Sequence, residues 1–182
     1  MRLDEAGMLP GAEHIPSPNC DERPEGVEIS LIVIHNISLP PGEFGGSGVA
    51  ELFTNTLDAN LHPFYASIAD IKVSSHFYID RTGRIFQFVP TVMRAWHAGL
   101  SRWQGREKCN DFSIGIELEG TDHVPFTDEQ YDSLKSLSLA ILEKHPSCGL
   151  AGHSDIAPGR KTDPGPFFDW NRYRFSIGKL SS

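Results

Sequence analysis

Ile29-Ser30-Leu31-Ile32-Val33-Ile34-His35-Asn36 reads as a strand with no polar side, an apolar run rich in β-branched residues that halts at a histidine and an asparagine. A strand of that kind belongs inside a sheet covered on both faces. Immediately after it, Leu39-Pro40-Pro41-Gly42 and the glycines Gly45, Gly46 and Gly48 predict a long non-helical loop. Residues 49–55 are then expected to form a short helix, with Ser47 as its N-cap. Two more segments alternate. Residues 75–80 put Phe77 and Ile79 on one face and His76 and Tyr78 on the other. The turn residues Arg81-Thr82-Gly83 lead into a returning strand over 84–89, which makes a hairpin. Residues 112–119 put Ile114, Ile116 and Leu118 on one face and Ser113, Gly115, Glu117 and Glu119 on the other.

The clearest helix spans 127–145. Thr127 and Gln130 have the spacing of a capping box, and Tyr131, Leu134, Leu137, Ile141 and Leu142 recur at helical spacing. Pro146 stops it. A short strand near 150–152 delivers His153. It is followed by a loop over 154–166 and a tail helix near 169–175. Residues 1–28, with prolines at 10, 16, 18 and 24, read as an irregular lead-in. Strands interleave with helices, yet one strand pair is a tight hairpin. The expected architecture is α+β: one domain over 1–182, with a mixed central sheet and flanking helices.

Composition narrows the function. The chain has 182 residues, with 16 Lys plus Arg against 24 Asp plus Glu, a net charge of −8. That balance argues against nucleic acid or a polybasic membrane surface as partner, while leaving room for a local basic pocket. No apolar run approaches the roughly 18 residues of a spanning helix, so no membrane insertion is expected. The first residues lack the pattern of a signal peptide. The three cysteines, Cys20, Cys109 and Cys148, cannot all pair and form no C-x-x-C, which fits reduced thiols and a cytoplasmic location. Nothing implies an obligate protein partner.

Three polar residues stand where strands give way to loops: His35, Glu117 and His153. The stretch from Gly152 to Gly165 adds Asp155, Arg160, Lys161 and Asp163 on a segment stiffened by Pro158 and Pro164. Two imidazoles and a carboxylate, such as His35, His153 and Asp163, would leave a fourth position open on a zinc ion, the arrangement of a catalytic site. Their spacing matches no short zinc motif, and a histidine in a protein with eight of them is more often structural. Glu117 and Glu119 could equally share a solvated sheet face, and Lys161 could simply be hydrated. Trp96-His97 offers an aromatic face and an imidazole of the kind that bind a sugar, or else a core tryptophan beside a half-buried histidine. Arg106 and Lys108 could take a carboxylate of a substrate.

Five segments, IVIHNISLPPGEFGG, SSHFYIDRTGRIFQFVP, RAWHAG, QGREKCNDFSIGIELEGTD and GHSDIAPGRKTDPGPFFDW, occur in an order that resembles the zinc-dependent N-acetylmuramoyl-L-alanine amidases. Within that family they are most similar to the cytosolic branch that acts on 1,6-anhydro-N-acetylmuramyl substrates. The resemblance implies that His35, His153 and Asp163 hold one zinc ion, that Glu117 acts on water, and that Lys161 assists at the tetrahedral intermediate. It implies hydrolysis of the amide between the lactyl group of the sugar and L-alanine, in muropeptide recycling. On that reading Asn36, Trp96, His97, Arg106 and Lys108 are the expected substrate contacts. The readings left standing beside it are a non-catalytic muropeptide-binding module, an amidase of the intact cell wall, and a glycosidase using Glu117 and Glu119.

Overall fold

The computed structural model describes residues 1–179. In chain order the elements are β1 (Glu13–His14), β2 (Cys20–Glu22), β3 (Leu31–Ile37), α1 (Gly48–Phe53), α2 (Pro63–Ile68), β4 (Phe77–Ile79), β5 (Ile85–Gln87) and β6 (Met93–Ala95). They continue with β7 (Arg102–Trp103), β8 (Arg106–Glu107), β9 (Ser113–Glu119), α3 (Asp128–Lys144), β10 (Gly149–Gly152), α4 (His153–Ile156) and α5 (Trp170–Ser176). Six strands form the central sheet in the order β1-β5-β4-β9-β3-β10. β4, β9, β3 and β10 run parallel, and β5 returns antiparallel to β4 as the expected hairpin. The mixed α+β sheet read from the sequence is therefore the observed architecture.

Burial follows the alternation. Ile32 and Ile34 of β3, Ile114, Ile116 and Leu118 of β9, and Phe77 and Ile79 of β4 pack under α3 and α5, against Leu134, Leu137, Ile141 and Tyr173. The opposite face carries Leu31, Val33 and Ala151 against Phe112 and Ile156. On the same molecule, α1 and α2 cover Tyr78, Phe86 and Phe88. Helix α3 starts as expected: the Thr127 side chain accepts from the Gln130 N–H at 3.1 Å and Gln130 Oε1 accepts from the Thr127 N–H at 3.1 Å.

Three expectations need correction, and one helix carried no expectation. β3 does not stop at His35 but continues to Ile37, because β9 pairs with it as far as Glu119. The lead-in over 1–28 is not wholly irregular. β1 adds to the main sheet beside β5, and β2 pairs with β6, so these short strands borrow their order from partners far along the chain. Helix α2 was not expected; His62 caps it by accepting from the Phe64 N–H at 3.0 Å, and Pro63 begins it. Ser47 precedes α1 but makes no cap, since its hydroxyl donates to Glu51 Oε1 instead.

Candidate metal and catalytic site

The site follows from sheet register. β3 and β9 pair His35 with Glu117, and β10 pairs Gly152 with Ile34, so His153 emerges one residue later, level with His35. Three neighbouring parallel strands thus present two imidazoles and a carboxylate at their carboxyl ends, the usual place for a ligand crevice in such sheets. The segment after β10 starts with the helical turn α4 rather than with the loop expected over 154–166. The Gly152 N–H donates to Asp155 Oδ2 at 2.7 Å, and the Ser154 N–H donates to the Asp163 carbonyl at 2.9 Å. The second bond folds the chain back and returns Asp163 to the histidines.

Nδ1 of His35 lies 3.0 Å from Nδ1 of His153, and each nitrogen lies 3.1 Å from Asp163 Oδ2. A tetrahedral ion with bonds of about 2.0–2.1 Å separates its ligand atoms by roughly 3.3 Å, so this triangle has the right scale. The other nitrogens support the fit. His153 Nε2 lies 3.1 Å from the Ala98 carbonyl, which can only accept, so that nitrogen carries the proton and Nδ1 faces inward with a lone pair. A proton on any one of the three inward atoms serves one neighbour at a time; a divalent cation serves all three. Both histidines are buried, and Asp163 is mostly so. Burial lowers the His35 imidazole to about 4. Burial pushes the Asp163 carboxyl up, but hydrogen bonds and charge from His153 and His35 prevail and hold it below the ordinary carboxylate range.

Glu117 and Glu119 share a face and a strand, yet differ in kind. Glu119 is buried with both oxygens engaged, by the Gly45 N–H at 2.5 Å and the Arg81 N–H at 2.9 Å. Glu117 Oε1 stands 3.9 Å from His35 Nδ1, and its Oε2 is buried with no hydrogen-bond partner among the described residues. Burial, aided by the nearby Asp163 charge, holds the Glu117 carboxyl well above the ordinary range. A carboxyl with raised proton affinity is suited to taking up and handing on a proton. Neither glutamate lies on a solvated face, and one of them is a backbone clamp, which removes the pairing a glycosidase would need.

A cleft of about 810 Å³ opens onto this group. Asn36, His97, Glu117, His153, Lys161 and Asp163 line it, opposite an apolar wall that includes Leu52, Phe64, Ile68 and Val73. Asn36 is held by its side-chain N–H, which donates to Asp122 Oδ1 at 2.7 Å. Trp96 does not line the cleft; its indole N–H donates to Asp21 Oδ1 at 3.1 Å, beside the β2–β6 pair. Arg106 and Lys108 also lie off the cleft, exposed at the β7–β8 hairpin. There Arg106 stacks 3.9 Å over Phe112 and donates to Ser30. Arg160, noted in the sequence but given no role there, is a cation of the cleft whose guanidinium donates to the Ala98 and Leu100 carbonyls at 2.7 Å. Its place next to Lys161 and three residues before Asp163 was the available signal.

Residues 25–166 match the family N-acetylmuramoyl-L-alanine amidase. The chain belongs to the N-acetylmuramoyl-L-alanine amidase family. Among the amidases it is 55% identical over 179 residues to the 1,6-anhydro-N-acetylmuramyl-L-alanine amidase AmpD of Escherichia coli K12, covering 97% of this chain and 98% of that one. A crystal structure of a Se-Met AmpD derivative superposes with a TM-score of 0.95 at 54% identity, over 97% of this amidase and 99% of that chain. The E. coli amidase AmiD, solved in complex with anhydro-N-acetylmuramic acid-L-Ala-D-gamma-Glu-L-Lys, superposes with a TM-score of 0.60 at 30% identity, over 87% and 65%. Among the described residues of this amidase no helix is long and apolar enough to cross a membrane.

Proposed function

We propose that this amidase hydrolyses the amide joining the lactyl carbonyl of 1,6-anhydro-N-acetylmuramic acid to L-alanine, as a step of muropeptide recycling in the cytoplasm. The observation that carries the reading is the meeting of His35, His153 and Asp163 beside Glu117, whose Oε2 has no hydrogen-bond partner among the described residues, at a cleft lined by His153, Asp163 and Glu117. The full-length similarity to amidases named for that substrate supports it.

His35, His153 and Asp163 would hold one zinc ion, which when bound supplies positive charge that polarises a carbonyl and acidifies water. Glu117 accepts a proton from the attacking water. Its raised proton affinity, a consequence of burial, makes it a competent base and then a competent acid. Water's oxygen bonds to the lactyl carbon, the C–N bond breaks, and Glu117 returns the proton to the departing alanine nitrogen. Lys161, exposed at the cleft, offers charge to the oxyanion of the tetrahedral intermediate. Asn36, fixed by Asp122, presents its amide group to the substrate, and the apolar wall seats the non-polar faces of the sugar and the alanine methyl. Products are a free lactyl carboxylate and a peptide with a new amino terminus.

The test is mass spectrometry of an anhydro-muramyl tripeptide incubated with zinc-loaded protein, beside a reducing-end muramyl substrate. Release of the peptide, faster from the anhydro sugar, is expected. Glu117→Gln should keep its zinc and lose turnover by about 10²–10⁴-fold. Binding of the muropeptide without cleavage would make the chain a non-catalytic module, and loss of zinc from Glu117→Gln would make Glu117 a ligand.

A further inference from the structure

His35 can offer a lone pair from Nδ1 only if its proton sits on Nε2, and that proton needs an acceptor in a place closed to water. His35 is 1% exposed. The group that meets its Nε2 is another imidazole, Nδ1 of His97, at 2.9 Å with the rings edge-to-face. For His97 to accept there, its own proton must sit on Nε2, and this nitrogen lies 3.1 Å from Ser113 Oγ, itself fully buried. The bonds therefore form a chain from ligand imidazole to second imidazole to hydroxyl.

His97 is held as tightly as the ligand it meets. Its backbone N–H and that of Ala98 both donate to Asn110 Oδ1, at 3.1 and 2.8 Å. Its ring lies flat on β9 at Gly115, where an added Cβ would fall 2.6 Å from the ring's Cγ. The far side of Gly115 is also engaged, because its N–H donates to His76 Nδ1 at 3.0 Å. His153 reaches the same end through a backbone carbonyl, which can only accept. His35 lacks such a carbonyl, and His97 with Ser113 replaces it.

We infer that His97 is a positioning residue that takes the Nε2 proton of His35, fixes the tautomer and tilt of that ring for metal binding, and passes the constraint to Ser113. The inference rests on the metal reading of the site above. It replaces the expectation that His97 and Trp96 together wall a sugar, since those two side chains serve different surroundings.

The experiment measures zinc dissociation constants by competition with a chromophoric chelator, for the wild type, His97→Leu and His97→Asn, with folding followed by circular dichroism. Removal of an outer hydrogen-bond partner of a metal ligand typically weakens the metal by about 10–100-fold, and His97→Leu should fall in that range. Asn can place an amide oxygen near the former Nδ1, so His97→Asn should regain most of the loss. In the zinc-loaded wild type, nitrogen NMR of labelled histidines should show His35 protonated at Nε2 and His97 protonated at Nε2. Should His97→Leu fail to fold, the NMR decides alone: a proton on Nδ1 of His97 overturns the inference. Tight zinc in the wild type with equally tight zinc in a folded His97→Leu overturns it too, as does an unchanged zinc affinity joined to a raised KM in both variants. A wild type that binds no zinc removes the metal reading and this inference together.

Discussion

Gly115→Ala is a one-methyl change whose effect can be worked out from coordinates. The added Cβ would lie 2.6 Å from His97 Cγ, 2.7 Å from Nδ1 and 2.8 Å from Cδ2. Carbon atoms in contact prefer about 3.5–4.0 Å, so the ring must retreat by about 1 Å. β9 cannot yield instead, because it is paired with β3 on one side and β4 on the other. The His97 backbone is tied to Asn110, so the ring tilts and its 2.9 Å bond to His35 lengthens. Forcing a methyl group into a packed interior costs about 1–3 kcal/mol. In a protein of this size that lowers Tm by roughly 2–12 °C. Alanine would otherwise favour the strand slightly over glycine, so the expected sign is opposite to propensity. Thermal unfolding of the zinc-loaded and the chelated protein reads the first effect, and chelator competition reads the second, a weaker hold on zinc. A Gly115→Ala protein with wild-type Tm and wild-type zinc affinity would refute the packing argument and the outer-partner role of His97 at once.

Two further outcomes are expected. Lys161→Ala should retain zinc, bind the muropeptide nearly as before, and lose turnover by about 10²-fold; a change confined to KM would make Lys161 a binding group only. His76 is buried between Arg23 and the Met93 carbonyl, and burial, then the Arg23 charge, lowers its imidazole to about 3. A lowered imidazole contributes full stability above its unfolded value of 6.5, and this contribution is lost as the pH falls from 6.5 towards 3. Between pH 7.5 and 5.5 the zinc-loaded wild type should therefore lose about 1 kcal/mol more than His76→Gln in denaturant unfolding, and equal losses in the two proteins would count against a neutral buried His76.

What could be read without coordinates was whatever a local pattern encodes. The all-apolar run before His35 marked the central strand, the strict alternation through Leu118 marked its neighbour, and Thr127 with Gln130 marked the start of α3. β1 and β2 left no such trace, because strands of two and three residues take their order from distant partners. Helix α2 did leave one, in His62-Pro63, a cap followed by proline at the first helical position. At the site, the strand ends pointed to His35, Glu117 and His153, but alternation alone cannot separate Glu117 from Glu119. The Gly45 and Arg81 amides that occupy Glu119 come from loops remote in the chain. For Arg106 and Lys108 the charge was legible, while the β7–β8 hairpin that sets them outside the lining of the cleft was not.

The pairing of His35 with Glu117, and of Gly152 with Ile34, has a metric consequence. Adjacent strands stand about 4.8 Å apart whatever side chains they bear. The gap between the His35 donor and the proton carrier Glu117 is therefore ruled by the amide lattice of the sheet, a dimension that loops covering the cleft can vary without disturbing.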